Sequence, residues 1–159
     1  MRPLKRLVAL VLTVGAGAGA ITAVAVAPAI AGSTSSTPTI KLISTNKGKL
    51  LSVGGFVIYR FSHDGTGSKN TCVTMKNSCR KTWPALTTTG SPIANTGPGV
   101  KKSLLGTTKL PSGKKQVTYA GHPLYNYAFN YGKGSTLYVG VHMFGGQWDG
   151  VTASGKAVK

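Results

Sequence analysis

Acid is what this chain lacks most. Asp64 and Asp149 are its only acidic residues, set against 19 Lys+Arg, for a formal charge of +17 over 159 residues. So one-sided a balance favours contact with polyanions in general and gives no basis for reading a particular sequence. Cysteine is equally scarce. Cys72 and Cys79 enclose six residues, "VTMKNS", which is not the Cys-x-x-Cys of a redox pair. Two thiols need two further ligands to hold zinc, and His63, His122 and His142 show no ligand spacing, so no metal is assigned. Sustained helical periodicity is missing, and 22 glycines punctuate the chain. A mostly β domain is expected. Helix-turn-helix, zinc-finger and RNP signatures are absent, which sets aside specific nucleic-acid recognition. No serine lies in a nucleophile-elbow context, and the adjacent His63 and Asp64 would point to opposite faces of a strand. No catalytic residue is assigned, and an enzyme is not expected.

What is present begins with an export signal. Arg2, Lys5 and Arg6 form a basic start, an apolar run extends from Leu7 to Ala27, and "AIA" at Ala29 to Ala31 fits signal peptidase. Residues 1–31 read as a signal peptide cleaved after Ala31, giving a mature chain from Gly32 that is secreted or extracellular. The apolar run is long enough to span a bilayer, so an uncleaved anchor is the alternative. No cysteine precedes Cys72, which removes the acceptor for a bacterial lipid anchor, and the absence of twin arginines points to the general secretory route. Three of the 19 basic residues lie in the leader, leaving 16 against two aspartates, a net of +14. An oxidising exterior favours a structural Cys72–Cys79 disulfide, contributing roughly 2.5 kcal/mol in the chain-entropy model.

Residues 32–39 form a Ser/Thr-rich tether, and 40–159 read as one β domain. Within it, "LSVGGFVIYRFSHD" (51–64) aligns without gaps on "VTYAGHPLYNYAFN" (117–130) at an offset of 66. Gly55 meets Gly121, Tyr59 meets Tyr125, Phe61 meets Tyr127 and Asp64 meets Asn130. The two tryptophans follow at similar distances, Trp83 after Asp64 and Trp148 after Asn130. Two tandem hairpin-based repeats, about 40–86 and 105–155, are the economical reading. "LLSV" and "FVIYRF" flank the turn Gly54-Gly55; "QVTY" and "HPLYNYAF" flank Ala120-Gly121, where only Gly121 is ideal. Further strands are expected in "TIKLIS", "SLLGTTKL", "TLYVGVHMF" and "QWDGVTA", and "TTTGSPIANTGPG" (87–99) would join the halves. Alternation places Tyr59 with Phe61, and Tyr125 with Tyr127, on shared strand faces. Asp64 and Asp149 each precede glycine, so both are expected in turns, with Asn130 substituting for the acid in the second copy. That substitution argues against catalysis needing a carboxylate in both halves. The aromatic strip is read as structural, with sugar-ring stacking as the functional alternative.

Together "IYRFSHD", the two cysteines, "WPAL", "QVTYAGHPLYNYAFN" and "FGGQW" resemble the bacterial secreted-repeat proteins, predicted lipoproteins with a Tyr-x-aromatic-x-x-Asp motif. The resemblance covers about Thr39 to Gly155 and implies tandem repeats without an assigned activity. This chain departs from the family in lacking the leader cysteine, in its wider cysteine spacing and in Asn130. Two function classes follow. One is an exported, non-catalytic cell-envelope or extracellular protein, monomeric, contacting anionic wall polymers or lipid headgroups. The other is a small-ligand, haem or metal-binding redox accessory using tyrosines with His63, His142 and Met143. No cofactor is assigned. The charge also has a plain reading as an aid to solubility.

Overall fold

The computed structural model describes residues 37–67, 69–92, 96–129 and 131–159. The leader with its Ala31 cleavage site, the start of the tether and Asn130 lie outside the described residues. Those described belong to one compact unit, Ser33–Lys159. It is mostly β, as expected, with antiparallel sheets and a Cys72–Cys79 disulfide.

A three-stranded sheet runs in the order β1 (Ile40–Thr45), β2 (Gly48–Val53), β3 (Phe56–Val57). The larger sheet is built from β4 (Tyr59–Phe61), β5 (Thr87–Thr88), β6 (Leu105–Lys109), β7 (Lys115–Tyr119), β8 (His122–Tyr125), β9 (Val141–Met143), β10 (Gly146–Val151) and β11 (Ala157–Val158). Its order is β11-β10-β4-β8-β7-β5, with β6 also on β7 and β9 also on β10. Both expected hairpins form. Gly54 and Gly55 take φ of 62° and 89°, and Ala120 and Gly121 take 49° and 81°. Positive φ at both central residues matches the twist of the flanking strands, and Ala120 bears a steric cost that Gly54 avoids.

Several strands end earlier than the sequence suggests. "FVIYRF" is split at Ile58: Val57 pairs with Ser52 in the small sheet, whereas Tyr59 pairs with Tyr125 and Gly150 in the large one. The break lets one segment bridge two sheets, and Ile58 keeps its N–H paired to the Leu51 carbonyl at 3.1 Å. β8 stops at Tyr125, so Tyr127 is not on a strand with it. Of "TLYVGVHMF" only Val141–Met143 is extended. The segment 87–99 is not all joint, because Thr87 and Thr88 pair with Gln116 and Lys115. Asp149 is not in a turn; it lies within β10, opposite Arg60. The disulfide loop carries two single-turn helices, α1 (Thr71–Thr74) and α2 (Cys79–Thr82).

Adjacent residues go to opposite sides of the core, as the two-residue period of a strand requires. Leu50, Val57, Tyr59 and Tyr125 join an aromatic cluster with both tryptophans and the disulfide. Leu51, Ile58 and Leu124 join an aliphatic cluster with Val117 and Tyr119. β4 lies between β10 and β8; Tyr59 and Phe61 on one face are buried in the aromatic cluster, while Arg60 on the other is partly buried opposite Asp149.

The parallel between the halves is real for the hairpins and stops there. Ser52 pairs with Val57 and Thr118 with Pro123, the same register at the offset of 66. Beyond them the chain differs: Trp83 follows α2, whereas Trp148 sits inside β10. A duplication of the whole unit is not confirmed.

Candidate functional site

The expected aromatic residues come together, and they do so as a stack. Trp148 lies between Phe61, at 4.3 Å and 16°, and Trp83, at 4.0 Å and 5°. Tyr59 meets Trp83 edge-on at 5.0 Å, and Tyr125 meets Trp148 edge-on at 5.3 Å. β10 can approach Phe61 this closely because position 146 is glycine; a Cβ there would sit 2.6 Å from the ring. Tyr59, Phe61, Tyr125, Tyr127 and both tryptophans are all buried. Their first role is therefore core packing.

The stack does not end inside. Trp83 leads to Tyr127 (4.7 Å), Tyr127 to Tyr138 (3.9 Å, 29°) and Tyr138 to Tyr131 (5.7 Å, 27°). Tyr131 is 63% exposed. Tyr59, Tyr127, Tyr131, Tyr138 and Ser135 line a pocket there with a free volume of about 10 Å³, the room of one water. Sequence reasoning does not single out Tyr131 and Tyr138 as site residues. The signal for them is the density of tyrosine in "YNYAFNY" and its return in "TLYV".

Asp64 closes a 3₁₀ turn, Ser62–Asp64, but it is buried and holds two partners. Its carboxylate accepts the Thr71 N–H at 2.6 Å and the Tyr125 O–H at 2.6 Å. The second bond ties the motif tyrosine of one hairpin to the motif acid of the other. Asp149 sits 3.7 Å from Arg60, across the β4–β10 pairing. His63, His142 and Met143 do not form one ligand set. His63 lies tilted against Phe61 at 5.3 Å and 43°, and His142 projects to solvent on β9 while its neighbour Met143 packs toward the rings. Among the described residues no group of three or more His, Cys, Asp or Glu is placed to hold a metal ion.

Burial of both acids sets the electrostatics. Desolvation raises the pKa of Asp64 and Asp149 above 3.8, outweighing the hydrogen bonds to Asp64 and the pull of Arg60 on Asp149. Burial also pushes the Tyr59 phenol up to about 12 and that of Tyr125 higher still, with the Asp64 charge adding to the second shift. Between 3.8 and the raised folded values, the folded chain binds more protons than the unfolded chain. Stability therefore falls as pH rises through that window and is recovered on acidification. His122, whose pKa burial lowers from 6.5, acts in the opposite sense nearer neutrality. Thermal unfolding at fixed ionic strength is expected to show a midpoint that holds or rises from about pH 5 to about pH 3. A steady fall over that range, abolished by Asp64→Asn, would show the carboxylate to be held below its ordinary pKa instead.

At the surface the segregation of charge is nearly complete. Asp64 and Asp149 are 1% and 2% exposed, whereas 15 of the 16 Lys and Arg among the described residues are exposed, Arg60 being the exception. No described side-chain carboxylate offsets the lysine field at the surface. In comparisons with known proteins, no family model, no curated protein and no solved structure matches this chain.

Proposed function

We propose that this protein is an exported, non-catalytic envelope or extracellular protein that binds anionic surface polymers through a field of one sign. The observation that carries the reading is the segregation of charge. Both acids are withdrawn into the core, and almost every cation stands in water. Both carboxylates face partners inside the fold, Thr71 and Tyr125 for Asp64 and Arg60 for Asp149, so neither repels an approaching polyanion at the surface. The Cys72–Cys79 disulfide suits an oxidising compartment, and the leader sequence supports export. Among the described residues no helix is long and apolar enough to cross a membrane. The resemblance to the secreted-repeat proteins agrees with the proposed location and adds no activity.

Binding of the mature chain to a purified anionic wall polymer is expected to weaken at least about tenfold between about 50 and 500 mM salt, because each contact displaces counterions. Salt-insensitive binding to one defined ligand, or no binding at low salt, would overturn the proposal.

A second reading, the redox accessory protein, is favoured by one observation: aromatic rings in contact run from Phe61 to exposed Tyr131. A visible absorption band or stoichiometric metal in protein recovered from the secreting cell would carry it over the first.

A further inference from the structure

Phe129, Tyr131 and Leu137 are the large apolar side chains left mostly in water among the described residues, and all three lie on the single segment after β8. Singly such residues need no explanation, but Phe129 and Tyr131 both sit by Tyr127, at 5.6 and 6.2 Å, and so expose apolar surface side by side. The segment is held in place. The Gly134 N–H donates to the Gly55 carbonyl at 2.9 Å, and the Thr136 hydroxyl donates to Asn46 Oδ1 at 2.7 Å. Tyr131 rests with one face toward Tyr138, which rests on buried Tyr127, so the exposed ring is backed by the core. Binding to it would cost little side-chain ordering.

Three features fix the chemistry of a partner. The first is charge. Exposed Lys133 follows Tyr131 by two residues and lies against Gly55, while no described side-chain carboxylate reaches the surface. The second is the pocket beneath the ledge, whose phenols are donors for an acceptor group no larger than the one water it has room for. The third is that Tyr127 and Tyr138 occupy each other's faces. That leaves the exposed Tyr131 ring as the surface a ligand can pack against. A pyranose needs only one ring face, against which its C–H groups pack.

We propose that the Tyr131 ledge is a subsite for a carboxylate-bearing sugar of an acidic polysaccharide, with the sugar ring on Tyr131 and one carboxylate oxygen at the mouth of the tyrosine pocket. This rests on the polyanion reading and deepens it: the lysine field gathers the polymer, and the ledge selects a uronate within it. The phenols of Tyr59, Tyr131 and Tyr138 are protonated near neutral pH at their ordinary pKa of 10, and burial of Tyr59 and hydrogen bonding among the tyrosines at Tyr131 and Tyr138 only raise it further.

The test uses the full mature chain, a galacturonate oligomer, inorganic polyphosphate and a single-stranded oligonucleotide, with affinities measured by calorimetry at one salt concentration. Tyr131→Ala is expected to weaken the galacturonate oligomer about tenfold and to change polyphosphate by less than about twofold. Tyr131→Phe, which keeps the ring, is expected to lose less than the alanine variant. An equal loss for both polymers, or a loss confined to the oligonucleotide, would overturn the subsite. Polyphosphate binding that survives alongside a galacturonate affinity indifferent to Tyr131 would overturn the subsite and leave the charge-based reading standing. Absence of binding to every polyanion would overturn both.

Discussion

Trp148→Ala is expected to lower the stability of this domain by about 3–5 kcal/mol, the largest effect of any single truncation in the aromatic stack. Trp148 is fully buried and lies between two parallel rings, Phe61 at 4.3 Å and Trp83 at 4.0 Å, with Tyr125 edge-on against it. Its indole N–H donates to the Met143 carbonyl at 3.3 Å, a bond that fastens β9 to the core. Alanine would open a void between two rings that cannot collapse together, because Phe61 is fixed by β4 and Trp83 by the disulfide-bearing segment. The lost ring contacts add roughly 0.5–1.5 kcal/mol each beyond area burial. Chemical unfolding of the variant beside wild type and Tyr131→Ala measures the effect, the latter expected within about 0.5 kcal/mol of wild type because its ring is exposed. A Trp148→Ala protein as stable as wild type but unable to hold a polymer would make the inner stack a binding strip.

How much of the fold is legible in the sequence depends on the range of the interaction. Local signals are clear. Gly54-Gly55 and Ala120-Gly121 specify two-residue turns, and both hairpins form. The cysteine pair and the mostly β character follow from composition and spacing. What stays hidden is anything decided by a distant partner. The break at Ile58 is invisible in "FVIYRF", because it exists only where the segment leaves β2 for β8 and β10. Asp149 looks like a turn residue in "WDG", yet it lies within β10 because that segment pairs with the distant β4, opposite Arg60. Tyr127 stays buried with Tyr125 although β8 has ended, because Trp83 and Tyr138 pack on it from elsewhere in the chain. The withdrawal of both acids from the surface is equally hidden, and the functional reading depends on it. A sequence counts charges; only the fold separates them.

Asp64 carries the second large expected effect, because the structure gives it a partner that the sequence does not show. As a turn acid it would satisfy only nearby N–H groups, and alanine there would cost roughly 1–2 kcal/mol. Instead it accepts from the Thr71 N–H and from the Tyr125 hydroxyl, 61 residues away, in a buried setting. Asp64→Ala would leave both donors unpaired and is expected to cost about 2–4 kcal/mol. Asp64→Asn should be far milder. The amide oxygen can still accept from Thr71, its nitrogen can donate to a Tyr125 hydroxyl turned to receive it, and no charge is then buried. Tyr125→Phe removes the phenol alone and is expected to cost about 1.5–3 kcal/mol, since it strands a buried carboxylate oxygen. The double variant Asp64→Ala/Tyr125→Phe should cost clearly less than the two single losses added, because each single change leaves behind a group that the other removes. Equilibrium unfolding in urea of these four proteins beside wild type measures the coupling. Additive losses, or an Asp64→Ala variant within about 0.5 kcal/mol of wild type, would show the two hairpins to be joined by packing alone.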